Sequence, residues 1–231
     1  MKSGSLILLL ALALIPTGTL SQSNSPQSPA EIKGEPRHQP KFENEFVRVW
    51  DVTLPAGDTT LWHIHRHDNV VVTLGEARLR IETAGAAPGE SLWKFGAVRF
   101  GKATYVHRAI NVGTTPFHNF TIELLKPPAG PPAPSIPKEP IVRAPVLENE
   151  RVRAFEVTLE PGQSTSMHTH VLPGLAIALT PGDLEVITQG KNKPDRLNLP
   201  LGDLRWRAGA VTHTIKNVGK SRFEAVDIEL K

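Results

Sequence analysis

The sequence predicts an all-β chain built as two small barrels in tandem. Three observations predict it: a long internal duplication, a succession of short β-branched or aromatic runs between Gly, Pro and Asn, and the lack of any long stretch with a 3.6-residue apolar period.

The duplication sets the architecture. Glu43–Gly57 reads ENEFVRVWDVTLPAG and Glu148–Gly162 reads ENERVRAFEVTLEPG, with nine of fifteen positions identical at an offset of 105. WHIH at Trp62–His65 faces MHTH at Met167–His170 at the same offset. VHRAINVG at Val106–Gly113 faces THTIKNVG at Thr212–Gly219, now at 106, the kind of change a loop insertion produces. FTIEL and AVDIEL close the two copies.

Within the first copy, the runs at Val47–Val52, Val70–Leu74, Ala77–Ile81, Val98–Phe100 and Phe120–Leu125 read as strands of a sandwich or small barrel. Between the copies lies KPPAGPPAPSIPKEP, whose proline density excludes helix and central strand and predicts a semi-rigid spacer. The expected domains are therefore 41–126 and 141–231, joined by a linker over 127–140. Bulky apolar residues such as Trp62, Phe100, Met167 and Trp206 are expected to line or underpin the barrels.

The N-terminus reads as a secretory signal peptide over 1–21. Lys2 supplies the positive end, and Leu6–Ile15 form an apolar run too short to span a bilayer. Pro16 and Gly18 break the run, and Thr19 and Ser21 are small residues suited to cleavage before Gln22. Residues 22–40, rich in Ser, Pro, Gln and Asn, are expected to form a disordered leader in which His38 is solvent-exposed. A periplasmic or secreted protein follows, with no membrane span after cleavage. The chain has no cysteine, which rules out disulfides, thiolate ligands and lipid attachment. Charged residues make up 21% of the 231 and the net charge is only +3, with no basic stripe, so nucleic-acid binding is excluded as an expectation.

Seven of the nine histidines lie in or beside the repeated motifs. Alternate residues of a strand share a face, so His63 and His65 project together, roughly 7 Å apart along the strand. His168 and His170 do the same. A third ligand must come from another strand, and His107 and His213 are the candidates. Three imidazoles leave positions open on a small divalent cation, the pattern of a catalytic rather than a closed structural site.

Gly57-x5-His63-x-His65 and Gly162-x5-His168-x-His170 resemble the first half of the first cupin motif, and His107-x3-Asn111 and His213-x3-Asn217 resemble the end of the second. The arrangement is similar to that of bicupins and covers nearly all of residues 41–231. The resemblance implies a cupin-like jelly-roll barrel in each half, with a metal inside. Two departures stand out. The Pro-x-Gly before the second-motif His is absent from both copies. The Glu expected four or five residues after the second His is also missing: copy one has Asn69 or Val70 there, with Asp68 adjacent, and copy two has Gly174 or Leu175. An all-imidazole set leaves the ion its full charge and so favours anionic or enolate-like ligands. The similarity shifts toward three-histidine dioxygenases and away from the manganese oxalate enzymes. Imidazole ligation leaves Fe, Zn, Mn, Ni and Cu open.

Strand parity places His118 and Glu224 at the head of aligned apolar faces, either at the barrel mouths or, as replacements for the Glu, at the metal. Copy one adds His67 and Tyr105, which are candidate catalytic groups; copy two has Leu172 and Val211 in their places. Copy one is thus expected to carry any chemistry. Arg99 and Arg205 match across the repeat as exposed arginines or anion contacts. The expected function is an exported metal-binding bicupin acting as an oxygenase on a small organic acid or diketone-like substrate. The alternative is a non-catalytic periplasmic metal or small-ligand binder. The expected partner is a small molecule, anionic by the charge argument, and the protein is a monomer or homodimer.

Overall fold

The computed structural model describes residues 28–128 and 145–231. The signal peptide and nearly all of the linker lie outside the described residues. The first unit consists of β1 (Ala30–Glu31), a 3-10 turn (Ile32–Gly34), β2 (His38–Glu43), β3 (Val47–Leu54), β4 (His63–His65), β5 (Asn69–Gly75), β6 (Ala77–Thr83), β7 (Gly89–Trp93), β8 (Val98–Gly101), β9 (Tyr105–Asn111) and β10 (Phe117–Leu124). The second consists of β11 (Leu147–Glu148), β12 (Val152–Leu159), β13 (His168–His170), β14 (Gly174–Ala178), β15 (Gly182–Thr188), β16 (Asp195–Leu199), β17 (Leu204–Arg207), β18 (Val211–Asn217) and β19 (Phe223–Leu230). Each unit is a two-sheet jelly roll. The sheets run β1-β4-β9-β6-β7 and β2-β3-β10-β5-β8 in the first, and β13-β18-β15-β16 and β11-β12-β19-β14-β17 in the second.

The repeated motif residues outside the histidines build the scaffold. Gly57 and Gly162 adopt φ of 76° and 81°, a conformation open to glycine at little cost, in turns closed by Asp58 N–H to Pro55 O and Gln163 N–H to Glu160 O. Asn111 is fully buried and donates to Leu54 O (3.0 Å) and Thr115 O (2.8 Å) while accepting from Gly113 N–H (3.0 Å). Asn217 repeats the set on Leu159, Ser221 and Gly219. The asparagine of the second motif is therefore a clamp between loops and does not face the metal.

One apolar core is shared by both units. Val47, Val49, Val70, Val72, Leu74, Phe120, Ile122 and Leu124 pack with their repeat equivalents Val152, Ala154, Leu175, Ile177, Leu179, Val226, Ile228 and Leu230. Phe42 and Phe46 stack on Trp206 across the same seam, at 6.2 and 5.9 Å between ring centroids. Phe100 and Trp206 thus underpin the seam as bulky core residues, whereas Met167 is half exposed. Arg151 and Asp68 add a cross-unit ion pair of 3.3 Å.

The expected disordered leader is corrected over its described part. Residues 30–43 are ordered: β1 pairs parallel with β4 (Ala30 beside His63) and β2 pairs with β3 (His38 beside Val52). The first unit therefore begins at β1, before residue 41. Composition predicted disorder because the segment holds few apolar residues. What orders it is backbone pairing to two existing sheet edges together with burial of Ile32, Glu35 and His38. Among the described residues no helix is long and apolar enough to cross a membrane.

Candidate metal centres

In the first unit β4 pairs with β9 so that His63 lies opposite His107 and His65 opposite Tyr105. The three imidazole Nε2 atoms form a triangle with edges of 3.1 Å (His63–His65), 3.0 Å (His65–His107) and 3.0 Å (His63–His107). His63 Nδ1 donates to Leu61 O at 2.9 Å, so in the neutral ring its Nε2 carries a bare lone pair. With His63 contributing no Nε2 proton, at most two protons remain for three contacts, and hydrogen bonding alone does not account for the triangle. A cation does. The three Nε2 atoms, 3.0–3.1 Å apart, would hold such an ion together. Burial and the neighbouring imidazoles hold the rings neutral. His63 is lowered to about 4, and His65 and His107 are also lowered well below the usual imidazole value. Neutral imidazole is the form that binds a metal.

The second unit repeats the frame. His168 lies opposite His213 in the β13–β18 ladder, His168 Nδ1 donates to Ser166 O (2.9 Å), and His168 Nε2 sits 3.1 Å from His170 Nε2. The His213 ring is 4.8 and 5.2 Å from the other two, and its Nε2 is a buried atom with no hydrogen bond. Burial, then the charges of His168 and His170, lowers His213 to about 4.

The two centres differ in what surrounds them. His170 Nδ1 faces Asp227 (3.4 Å) and Glu229 (3.5 Å), and Arg207 holds Asp227 at 2.8 Å. In the first unit Thr121 replaces Asp227. Glu123, the counterpart of Glu229, accepts instead from Trp50 Nε1 at 2.9 Å and Arg48 at 3.3 Å. His65 Nδ1 is consequently buried without a partner.

Access differs more. His63 and His65 are 1% and 2% exposed, while His168 and His170 are only partly buried. A cavity of about 530 Å³ reaches His168, His170 and His213 in the second unit, walled by Phe155, Val157, Ile177, Leu199, Ile215 and Phe223. In the first unit Trp50 stands at the position of Phe155, and Trp93 pairs with Ala77 as Leu199 pairs with Gly182. Two indoles thus take up volume that the second unit leaves open. The open centre is in the second unit, whereas the copy expected to carry any chemistry has the buried one.

Tyr105 is at the first centre, its ring stacked on His65 at 4.7 Å and its hydroxyl 3.2 Å from Asn69 Nδ2. Burial pushes the phenol up to about 12, so it is uncharged near neutral pH. His67 sits in the turn between β4 and β5 and makes none of the ring contacts that join His38, His63, His65, His107 and Tyr105. Asp68 is taken up by Ala103 N–H (2.7 Å), Lys102 and Arg151. Arg99 is exposed against the Trp93 ring, and Arg205, also exposed, pairs with Asp203.

Neither parity candidate stands at a metal. His118 Nε2 bonds Asp51 at 2.8 Å, and Glu224 pairs with Arg222 at 2.9 Å. Phe120, Ile122 and Leu124 face the other unit, so His118 marks the seam face. The inward carboxylates are Glu123, Asp227 and Glu229 on the opposite parity. β10 and β19 are buried on both faces, so alternation identifies two faces without saying which is inside. The identity of Glu123 and Glu229 across the repeat was the available signal. His118→Ala is expected to leave metal content unchanged by elemental mass spectrometry. It also removes the hydrogen bond that holds the Asp51 carboxyl below its usual range. That depressed carboxyl contributes stability above the unfolded carboxylate value and loses it as pH falls through the folded one. The variant's acid-unfolding midpoint is therefore expected to rise slightly, by an effect worth less than about 1 kcal/mol at this half-exposed pair.

No protein-family model matches the sequence, and no curated protein matches it. Solved structures do match it in fold. The cupin 2 conserved barrel domain protein from Leptotrichia buccalis superposes with a TM-score of 0.52 at 10% identity, covering 84% of this chain and 88% of its own. A mutant of the Bacillus subtilis oxalate decarboxylase OxdC gives 0.59 at 12% identity, over 83% of this chain and 74% of its own. A single-site mutant of the salicylate 1,2-dioxygenase from Pseudoaminobacter salicylatoxidans, in complex with gentisate, gives 0.55 at 11% identity, over 80% of this chain and 69% of its own.

Proposed function

Because this chain carries the bicupin fold, we propose that it is an exported metal protein whose second unit oxygenates a small organic acid or diketone-like molecule with a substantial apolar part. The observation that carries the reading is the apolar cavity of about 530 Å³ opening onto His168, His170 and His213. Its volume is that of a small-molecule site. The fold is shared with an oxalate decarboxylase and a salicylate 1,2-dioxygenase, which supports an organic acid as the ligand class.

Fe, Zn, Mn, Ni and Cu all suit the nitrogen donors, and the ion supplies Lewis acidity or, if redox-active, dioxygen chemistry. The chain's own groups do the rest. Ser166 O fixes the His168 tautomer, and Asp227 and Glu229 face the far nitrogen of His170, orienting the ring and raising its basicity. The apolar walls exclude water and strengthen electrostatic contacts inside. Arg207 is committed to Asp227, so an anionic ligand group is met by the ion.

The alternative is a binder without turnover. It is favoured by Leu172 and Val211 at the places of His67 and Tyr105, which leave the open cavity without those acid–base groups. Oxygen uptake by the metal-loaded protein with aromatic and aliphatic acids separates the two. Uptake supports the oxygenase, whereas ligand-dependent thermal stabilisation without uptake supports the binder. Phe155→Trp/Leu199→Trp, which copies the indoles of the first unit, is expected to abolish ligand stabilisation while metal content stays unchanged. Undiminished stabilisation would remove the cavity from the reading.

A further inference from the structure

The first centre has a neighbour that belongs to neither repeated motif. His38 opens β2 and is 6% exposed, and Glu35, three residues earlier, is 1% exposed. His38 Nδ1 lies 2.6 Å from Glu35 Oε2. Glu35 is fixed in turn by the Leu61 N–H (3.1 Å) and the Arg37 N–H (2.8 Å). The His38 ring stands 4.8 Å from that of His63 and 6.1 Å from that of His65. One ligand atom each from His38, His63 and His65 falls within 4.8 Å of the others. With Nδ1 engaged by Glu35, the nitrogen left for an ion is Nε2.

The second unit offers no counterpart. The residues 105 positions after Glu35 and His38 are Pro140 and Arg143. Among the described residues β13 is the edge of its sheet, whereas in the first unit β1 covers the edge of β4.

We propose that His38 is a fourth imidazole ligand of the first centre, positioned by Glu35. The leader then closes that centre as a retained four-nitrogen site, while the second centre keeps three nitrogens and open positions. The buried carboxylate–histidine pair is the arrangement that fixes a ligating ring and raises its basicity. The inference rests on the reading that both triads bind a divalent ion.

The test uses the full chain with the second centre disabled by His168→Ala/His170→Ala, loaded with Cu(II). Paramagnetic resonance reports the nitrogens on the ion, and a chelator challenge reports its release. His38→Gln is expected to reduce the nitrogen count from four to three and to speed release by about 10-fold or more, with Glu35→Gln giving a smaller acceleration and four nitrogens retained. Thermal melts of the metal-free proteins check folding. If His38→Gln does not fold, Glu35→Gln carries the test: accelerated release supports the proposal and unchanged release overturns it. Three nitrogens already present in the parent, or a spectrum and release rate unmoved by His38→Gln, also overturn it and leave the three-histidine reading standing. Failure of the parent to bind copper, or full binding after His63→Ala, overturns the metal reading itself.

Discussion

His168→Ala/His170→Ala is expected to halve the metal content of the loaded protein, from about two equivalents to about one, with the remaining ion released slowly. The two rings supply two of the three histidine nitrogens of the second unit, and among the described residues their strand is the edge of its sheet. Asp227 and Glu229 remain, but Arg207 and Arg153 already neutralise them. Loss of a group that merely orients a ligand costs about 10–100-fold in affinity, so removing two ligands leaves no retained ion at micromolar metal. All ligand-dependent stabilisation and any oxygen uptake should vanish with it, because the cavity opens onto this centre. The reciprocal His63→Ala/His65→Ala variant should also lose one equivalent yet keep ligand binding in the second unit. Elemental mass spectrometry on both variants, with the same ligands, checks the pair. Retained ligand binding in the first variant, or its loss only in the second, contradicts the assignment of the open site.

The second large effect is structural. Phe120→Ala is expected to destabilise the protein by about 3–5 kcal/mol, the usual cost of emptying a buried aromatic site. Phe120 is 1% exposed in the core that the two units share. A Cβ added at Gly202 of the other unit would lie 3.3 Å from its Cζ, so there is little slack to collapse into the void. Because the core joins the units, both should unfold in one transition, shifted together to lower denaturant with an unchanged slope. Two separated transitions in the wild type would show that the units are energetically independent.

Much of this was legible in the sequence because it repeats. The duplicated Val/Leu/Ile runs, the turn glycines Gly57 and Gly162 and the His-x-His spacing each encode a local rule; strand alternation put His63 and His65 on one side, and the repeated motif supplied His107 from another strand. Three things were not legible. Parity could not distinguish the seam face of β10 and β19 from the inward face, since both are buried; this misplaced His118 and Glu224 and hid Asp227 and Glu229. Composition pointed to disorder over 22–40, yet pairing of β1 and β2 to existing strands orders its described part and buries His38. Finally, motif counting favoured the first unit for chemistry because Tyr105 and His67 are there, and it gave no sign that the open cavity lies in the second. Cavity volume depends on side-chain size summed over strands far apart in sequence, where Trp50 and Trp93 outweigh Phe155 and Leu199.

The shared core has a consequence for how the two centres came to differ. Its eight residues from one unit are the repeat equivalents of its eight from the other, so the contact is a self-complementary patch meeting itself, as in a twofold homodimer. In a dimer of identical chains every substitution appears twice, and a bulky residue that fills one interior fills both. Joining the halves in one polypeptide removes that constraint while retaining the paired surface. Each interior then changes on its own, one half filled and the other left open, and the half that is filled still supplies the apolar face on which the hollow one packs.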